Sequence, residues 1–294
     1  MWEAIFARGN LQRAWKRVRA NRGAPGVDGM SVEEFPGWAK AHWKEIAHLL
    51  EEGRYRPQPV RRVELEKPGG GKRALGIPSV LDRVIQQAIA QVLGEKVDSS
   101  FHPSSYGFRP GKSAHQAIQQ LQADKQSGYS QAVDLDLEKF FDKVNHEVLM
   151  RLLRRRIEDA RVLRLIGKYL RAGVTLAPGR IAPTSEGVPQ GGPLSPLLAN
   201  LLLDELDKEL ERRGHRFARY ADDFVILTRS ERAARRVHES IRQWLERRLK
   251  LKINAGKSRV CGIKEVEFLS FTLRGKRLAA SEAAVAEFRH RARS

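Results

Sequence analysis

Within residues 131–137 the chain alternates strictly. Val133, Leu135 and Leu137 are separated by Asp134 and Asp136. Side chains alternate across a β-strand, so the three apolar residues share one face and the two acids the other. Acids held that close repel each other unless they bind a cation or face water. The segment is therefore a short, strong strand whose acidic face is either solvated or a cation site, and spacing alone does not choose between Asp134 and Asp136 as the ligand.

A second acidic cluster, Tyr220-Ala221-Asp222-Asp223, lies between Phe217-Ala218-Arg219 and Phe224-Val225-Ile226-Leu227. Two apolar strands joined this way form a hairpin with the Asp pair at its tip, although Asp at a turn is ordinary in itself. Charge gives the two clusters a context. Lys and Arg number 54 against 35 Asp and Glu, a formal net charge of +19. The excess runs along the whole chain and calls for a polyanionic partner, nucleic acid before an anionic membrane surface. A strand-borne acid and a hairpin-tip acid pair on so basic a chain are what two-metal phosphoryl transfer requires. Mg²⁺ is held by a few carboxylates together with substrate phosphates, and two ions can stabilise the attacking and leaving oxygens.

The rest of the pattern mixes helices and strands without regular alternation, which makes the class α+β. Residues 10–22 form a basic helix ending at Gly23-Ala24-Pro25-Gly26, and 61–78 a hairpin turning at Pro68-Gly69-Gly70-Gly71. Ser79 caps a helix that carries Val84, Ile85, Ala88, Ile89, Val92 and Leu93 on one face. Ser195-Pro196 opens a helix that Gly214 closes, and 231–250 is an amphipathic basic helix, with short strands near Val260 and Phe268. A lone cysteine, Cys261, excludes a disulfide framework and a cysteine zinc site. No apolar run reaches the length of a membrane span and no signal-peptide layout opens the chain, so the expected location is cytoplasmic, of bacterial type. Residues 107–113 imitate a P-loop but lack one residue between the glycines and a preceding strand.

Several motifs then resemble those of reverse transcriptases, in the wording of the group II intron branch. They are Gly26-Val27-Asp28-Gly29, Lys72-Arg73-Ala74-Leu75-Gly76-Ile77-Pro78 and Ser105-Tyr106-Gly107-Phe108-Arg109-Pro110, followed by Asp136-Leu137-Glu138-Lys139-Phe140-Phe141-Asp142. Gln190-Gly191-Gly192-Pro193-Leu194-Ser195-Pro196, Tyr220-Ala221-Asp222-Asp223, Asn254-Ala255-Gly256-Lys257-Ser258 and Phe268-Leu269-Ser270-Phe271 complete the set in the family's order, from about Asn10 to Phe271. The resemblance implies a right-hand polymerase of fingers and palm, the palm a ferredoxin-like antiparallel sheet packed on helices. It implies an N-terminal extension and fingers over 1–130, a palm over 131–278 with a fingers-side helical insertion at about 150–185, and the start of a missing thumb or connector at 279–294.

The same resemblance assigns roles. Asp136, Asp222 and Asp223 would be catalytic and would bind two Mg²⁺ ions, for which Mn²⁺ can substitute, with the backbone carbonyl of Leu137 as a further ligand; Asp134 becomes a supporting acid. Lys257 would protonate the pyrophosphate leaving group. Lys67 and Arg73 would reach the dNTP triphosphate, and Gln190 its sugar. Phe141 stands at the position of a gate against the ribose 2′-OH, the alternative being that Phe140 and Phe141 are both core. Arg109, Phe268 and Leu269 would touch nucleic acid, and Ser270 replaces the glycine usual at its position. The implied partners are an RNA template and primer, group II intron RNA among them, and dNTPs, without a membrane. The alternative function is that of an RNA-binding intron maturase, a splicing cofactor with little polymerase activity.

Overall fold

The computed structural model describes residues 1–66, 72–176, 179–273, 279–281 and 285. Two compact units emerge, each assembled from separated stretches of chain. The first combines Met1–Ser99 with Phe141–Leu198, and the second Ser100–Phe140 with Ala199–Ser294.

In the first unit the helix Val80–Val97 is the core element, with Val80, Val84, Ile85, Ala88, Ile89 and Leu93 all buried. Ser79 caps it as expected, its hydroxyl accepting from the Asp82 amide at 3.2 Å. The basic N-terminal helix spans Arg8–Ala20 and is tied to this core through buried Asn10. The Asn10 amide group donates to Ala88 O at 3.0 Å and accepts from Gln91 at 2.7 Å. A four-stranded sheet runs in the order Lys72–Ile77, Val60–Glu66, Val174–Leu176, Arg180–Ala182. Its first pair is the expected antiparallel hairpin, whose turn lies outside the described residues, and Val60 pairs with Val174 in parallel.

The second unit is built on an antiparallel sheet ordered Arg216–Tyr220, Asp223–Thr228, Gln131–Leu135, Arg259–Gly262. Ala132, Ala218, Val225 and Leu227 belong to one buried cluster with Ala117, Ile118 and Leu121 of the helix Ala114–Gln126. Val133, Leu135, Phe224 and Ile226 are buried as well, so apolar side chains are covered on both faces. The α+β class and the antiparallel sheet packed on helices are as the sequence indicated. Three boundaries differ. The strand expected over 131–137 ends at Leu135, because Asp136 and Leu137 leave the ladder to bond the 253–258 loop. The basic helix expected over 231–250 is α-helical over Glu231–Trp244 and then widens to a π-turn, Leu245–Leu249, ended by Lys250 at φ 60°. Only Asp222 of the acid pair sits in the hairpin turn; Asp223 opens the returning strand.

Candidate active site

The acids of the second unit meet through strand register. Leu135 stands opposite Phe224 in the last pair of the ladder, and Asp136 and Asp223 are the residues that adjoin that pair in sequence. Tyr220 pairs with Asp223, which leaves Ala221 and Asp222 as a two-residue turn. Asp136 is held by its backbone. Its amide donates to Ser258 Oγ at 3.1 Å, and its carbonyl accepts from the Asn254 amide at 2.8 Å. The same loop carries Lys257. Asn254 shapes it by accepting from the Gly256 amide at 3.1 Å, and Leu137 bridges Ile253 beside it.

Lys257 Nζ lies 3.8 Å from Asp136 Oδ2 and stays 63% exposed, a solvent-facing cation near the acids. Arg259 lies 3.5 Å from Asp134, on the strand paired with it. Each of the two strand acids thus has a cation beside it, Asp136 the exposed Lys257 and Asp134 the strand-borne Arg259. Burial pushes the Asp134 carboxyl up, Arg259 opposes that, and the Asp136 charge adds to it. Asp223 is exposed, yet its carboxyl is pushed up to about 6. Desolvation contributes most, then the charges of Asp222, Asp136 and Asp134, with Lys257 opposing. Carboxylates that raise one another's pKa in this way have an unmet demand for positive charge.

Among the described residues no three His, Cys, Asp or Glu side chains converge closely enough to enclose a metal ion. Mg²⁺ does not require such a group, since it binds through a few carboxylates and completes its shell with water and substrate phosphates. Asp136, Asp222, Asp223 and the Leu137 carbonyl are the groups that could hold it.

The candidate nucleotide-binding residues gather in the first unit through backbone bonds. Val188 N donates to Phe141 O at 2.7 Å, and Gly76 N donates to Gln190 O at 2.8 Å. Gly191 follows at φ 121°, and a Cβ there would come within 2.8 Å of Gly76 O, so only glycine allows the turn to lie against the strand. Arg73 stands three residues from Gly76 in that strand, opposite Leu65. Lys67 lies outside the described residues. Phe140 and Phe141 are both buried, at 2% and 8% exposure.

The remaining candidates are in the second unit. Arg109 donates to His102 O at 2.9 Å and Ser105 O at 3.0 Å and lies over the Phe101 ring, so part of its guanidinium braces its own loop. Phe268 is buried, and Leu269 and Ser270, at φ 52° and 66°, form the turn that pairs Phe268 with Phe271. Sequence reasoning missed three residues beside the acids. Asn254 and Ser258 strap Asp136, a role signalled only by their place on either side of Lys257. Arg219 precedes the acidic turn and is wholly buried, a placement that an arginine in a basic chain does not advertise.

Comparison with known proteins gives the family and the fold. The family model "Reverse transcriptase (RNA-dependent DNA polymerase)" matches residues 65–273. Protein YkfC of Escherichia coli K12 is 33% identical over 319 residues, covering 95% of this chain and 82% of that protein. The group II intron-encoded protein LtrA of Lactococcus lactis subsp. cremoris is 35% identical over 213 residues, covering 72% of this chain and 35% of LtrA. The chain thus spans about a third of the length of that relative. Among solved structures, telomerase from Candida albicans in complex with a fragment of telomeric RNA superposes with a TM-score of 0.62. That likeness covers 79% of this chain and 46% of the telomerase chain at 14% identity, and concerns the fold.

Proposed function

This chain belongs to the reverse transcriptase family and has its right-hand fingers-and-palm fold, and from that premise we infer that it extends a primer with dNTPs on an RNA template. The observation that carries the reading is that Asp136 and Asp223 adjoin the last pair of one ladder beside the Asp222 turn, where burial and the charges of Asp222 and Asp136 push the Asp223 carboxyl up. In this reading residues 131–278 are the palm. Two Mg²⁺ ions, replaceable by Mn²⁺, would supply charge stabilisation at the attacking and leaving oxygens. Asp136, Asp222, Asp223 and the Leu137 carbonyl would hold them. Lys257, exposed and 3.8 Å from Asp136, delivers a proton from Nζ to the departing pyrophosphate. Arg73 and Lys67 bind the triphosphate, Gln190 approaches the sugar from its glycine turn, and Phe141 excludes a ribose 2′-OH. Arg109, Phe268 and Leu269 contact template and primer. No helix among the described residues is long and apolar enough to cross a membrane, and a cytoplasmic site of action belongs to the same proposal.

The test is Asp222→Asn, assayed on a primed RNA template. Incorporation is expected to fall to background while RNA affinity stays within about twofold, because the carboxylate is assigned to metal and not to RNA. Incorporation at a substantial fraction of the parental rate would remove Asp222 from the site.

A second reading is favoured by the intron-encoded relative and by the +19 charge: binding of group II intron RNA as a splicing cofactor. It is compatible with the first, and splicing assays with Asp222→Asn separate the two, since only polymerisation needs the carboxylate.

A further inference from the structure

Arg219 is the largest fully buried side chain of the second unit, and every one of its five N–H groups has an acceptor. Nε and one terminal nitrogen form a fork on Asp207, at 2.7 and 2.5 Å. That same nitrogen donates to Ser105 Oγ at 2.8 Å. The other donates to Asn200 Oδ1 at 2.9 Å and to the Ala221 carbonyl at 2.9 Å. Asp207 is fully buried too. A buried ion pair contributes little net stability against apolar side chains of the same volume, so its presence points to a demand for geometry.

The geometry in question is that of the acidic turn. Ala221 lies at φ 58°, a region that costs a residue with a Cβ about 1–2 kcal/mol. The carbonyl of Ala221 and the amide of Asp222 share one rigid peptide plane. A donor fixed on that oxygen therefore fixes the backbone from which the Asp222 side chain springs. The turn has a wall on its other side. A Cβ at Gly107 would collide with Ala221 N and come within 2.9 Å of Tyr220 C. Asn200 ties wall and clamp together, since its Nδ2 donates to Gly107 O at 2.8 Å while its Oδ1 accepts from Arg219.

We propose that Arg219 is a positioning residue for the acid pair, a buried clamp that, with Asn200 and the Gly107 wall, holds the Ala221–Asp222 peptide in its left-handed turn before substrate or metal arrives. The consequence for catalysis rests on the polymerase reading; the mechanical claim does not. A lysine could keep the charge but lacks the planar fork that serves four partners at once.

The experiment pairs amide hydrogen exchange, resolved to single residues in the metal-free protein, with incorporation kinetics on a primed RNA template. The variants are Arg219→Lys, Asn200→Ala and Gly107→Ala. The last two leave the Arg219–Asp207 pair in place, so the test survives if Arg219→Lys does not fold. In all folded variants exchange at 220–223 is expected to quicken about tenfold or more, with 131–135 and 224–228 unchanged. The kcat for dNTP addition is expected to fall about a hundredfold, with dNTP KM and RNA affinity held within about twofold. A role in folding alone would loosen strands and turn together, or lower the melting temperature without changing kcat in the folded fraction. Turn amides that exchange at the parental rate in Asn200→Ala and Gly107→Ala would overturn the clamp. A folded parent that never incorporates dNTP would instead overturn the polymerase reading, and the exchange data would still decide the clamp.

Discussion

Phe140 and Phe141 are adjacent and both buried, yet Phe141 keeps the larger exposure, 8% against 2%. If its ring is a sugar gate, Phe141→Ala should raise rNTP use relative to dNTP use by one to two orders of magnitude, about 1.4–2.7 kcal/mol. If it is only core, the same change should cost about 3–5 kcal/mol of stability and depress both nucleotides in parallel. Measuring kcat/KM for the two substrates beside a denaturation curve separates these outcomes. Residues of this kind mark how far a sequence can be read. Asp134 and Asp136 were visible as a pair through period-two alternation, but the cation that each of them meets, Arg259 and Lys257, was not. The Asp134–Arg259 contact joins residues far apart in the chain. Arg219 was illegible for a different reason. Charge at an alternate position of a strand ordinarily marks the solvated side, and only the arrival of Ser105, Asn200 and Asp207 from other segments makes burial affordable there.

Two hairpins of the second unit turn through two residues without a glycine, Ala221-Asp222 and Leu269-Ser270. The second turn has positive φ at both positions, the type that favours Asn-Gly. Ser270→Gly should relieve about 1–2 kcal/mol of left-handed strain and give back about 0.5–1 kcal/mol as unfolded-chain entropy. A net gain of about 0.5–1 kcal/mol is expected, read as a higher denaturation midpoint with an unchanged slope. A neutral or destabilising result would mean that the bond from Ser281 N to Ser270 O, at 2.8 Å, is disturbed by the change. At this scale flanking apolar runs made the helices at 80–97 and 195–212 legible, whereas the helices Phe35–Glu51 and Ala114–Gln126 went unread and element ends were not legible. The strand at 131–135 stops where the Asn254–Ser258 loop takes over its hydrogen bonds, and the basic helix unwinds into a π-turn at Leu245 that periodicity cannot register.

For the whole molecule, charge makes the clearest forecast. With +19 spread along the chain, RNA affinity should fall about a hundredfold or more between about 50 and 200 mM salt, and vary little with RNA sequence. A flat salt profile in a filter-binding or anisotropy titration would point to a different ligand. Linear order was a poor guide to what assembles with what. The first unit needs Phe141–Leu198 to join Met1–Ser99, and no local pattern announces that return. The parallel pairing of Val60 with Val174 carries this furthest. On the ribosome, Val174 leaves the exit tunnel roughly ten seconds after Val60 at ordinary elongation rates. Throughout that interval the hairpin has one edge open and the sheet of the first unit cannot close. Arg61, Arg62, Glu64 and Glu66 on the waiting strand are the kind of side chains that keep an open edge from pairing with a neighbouring nascent chain.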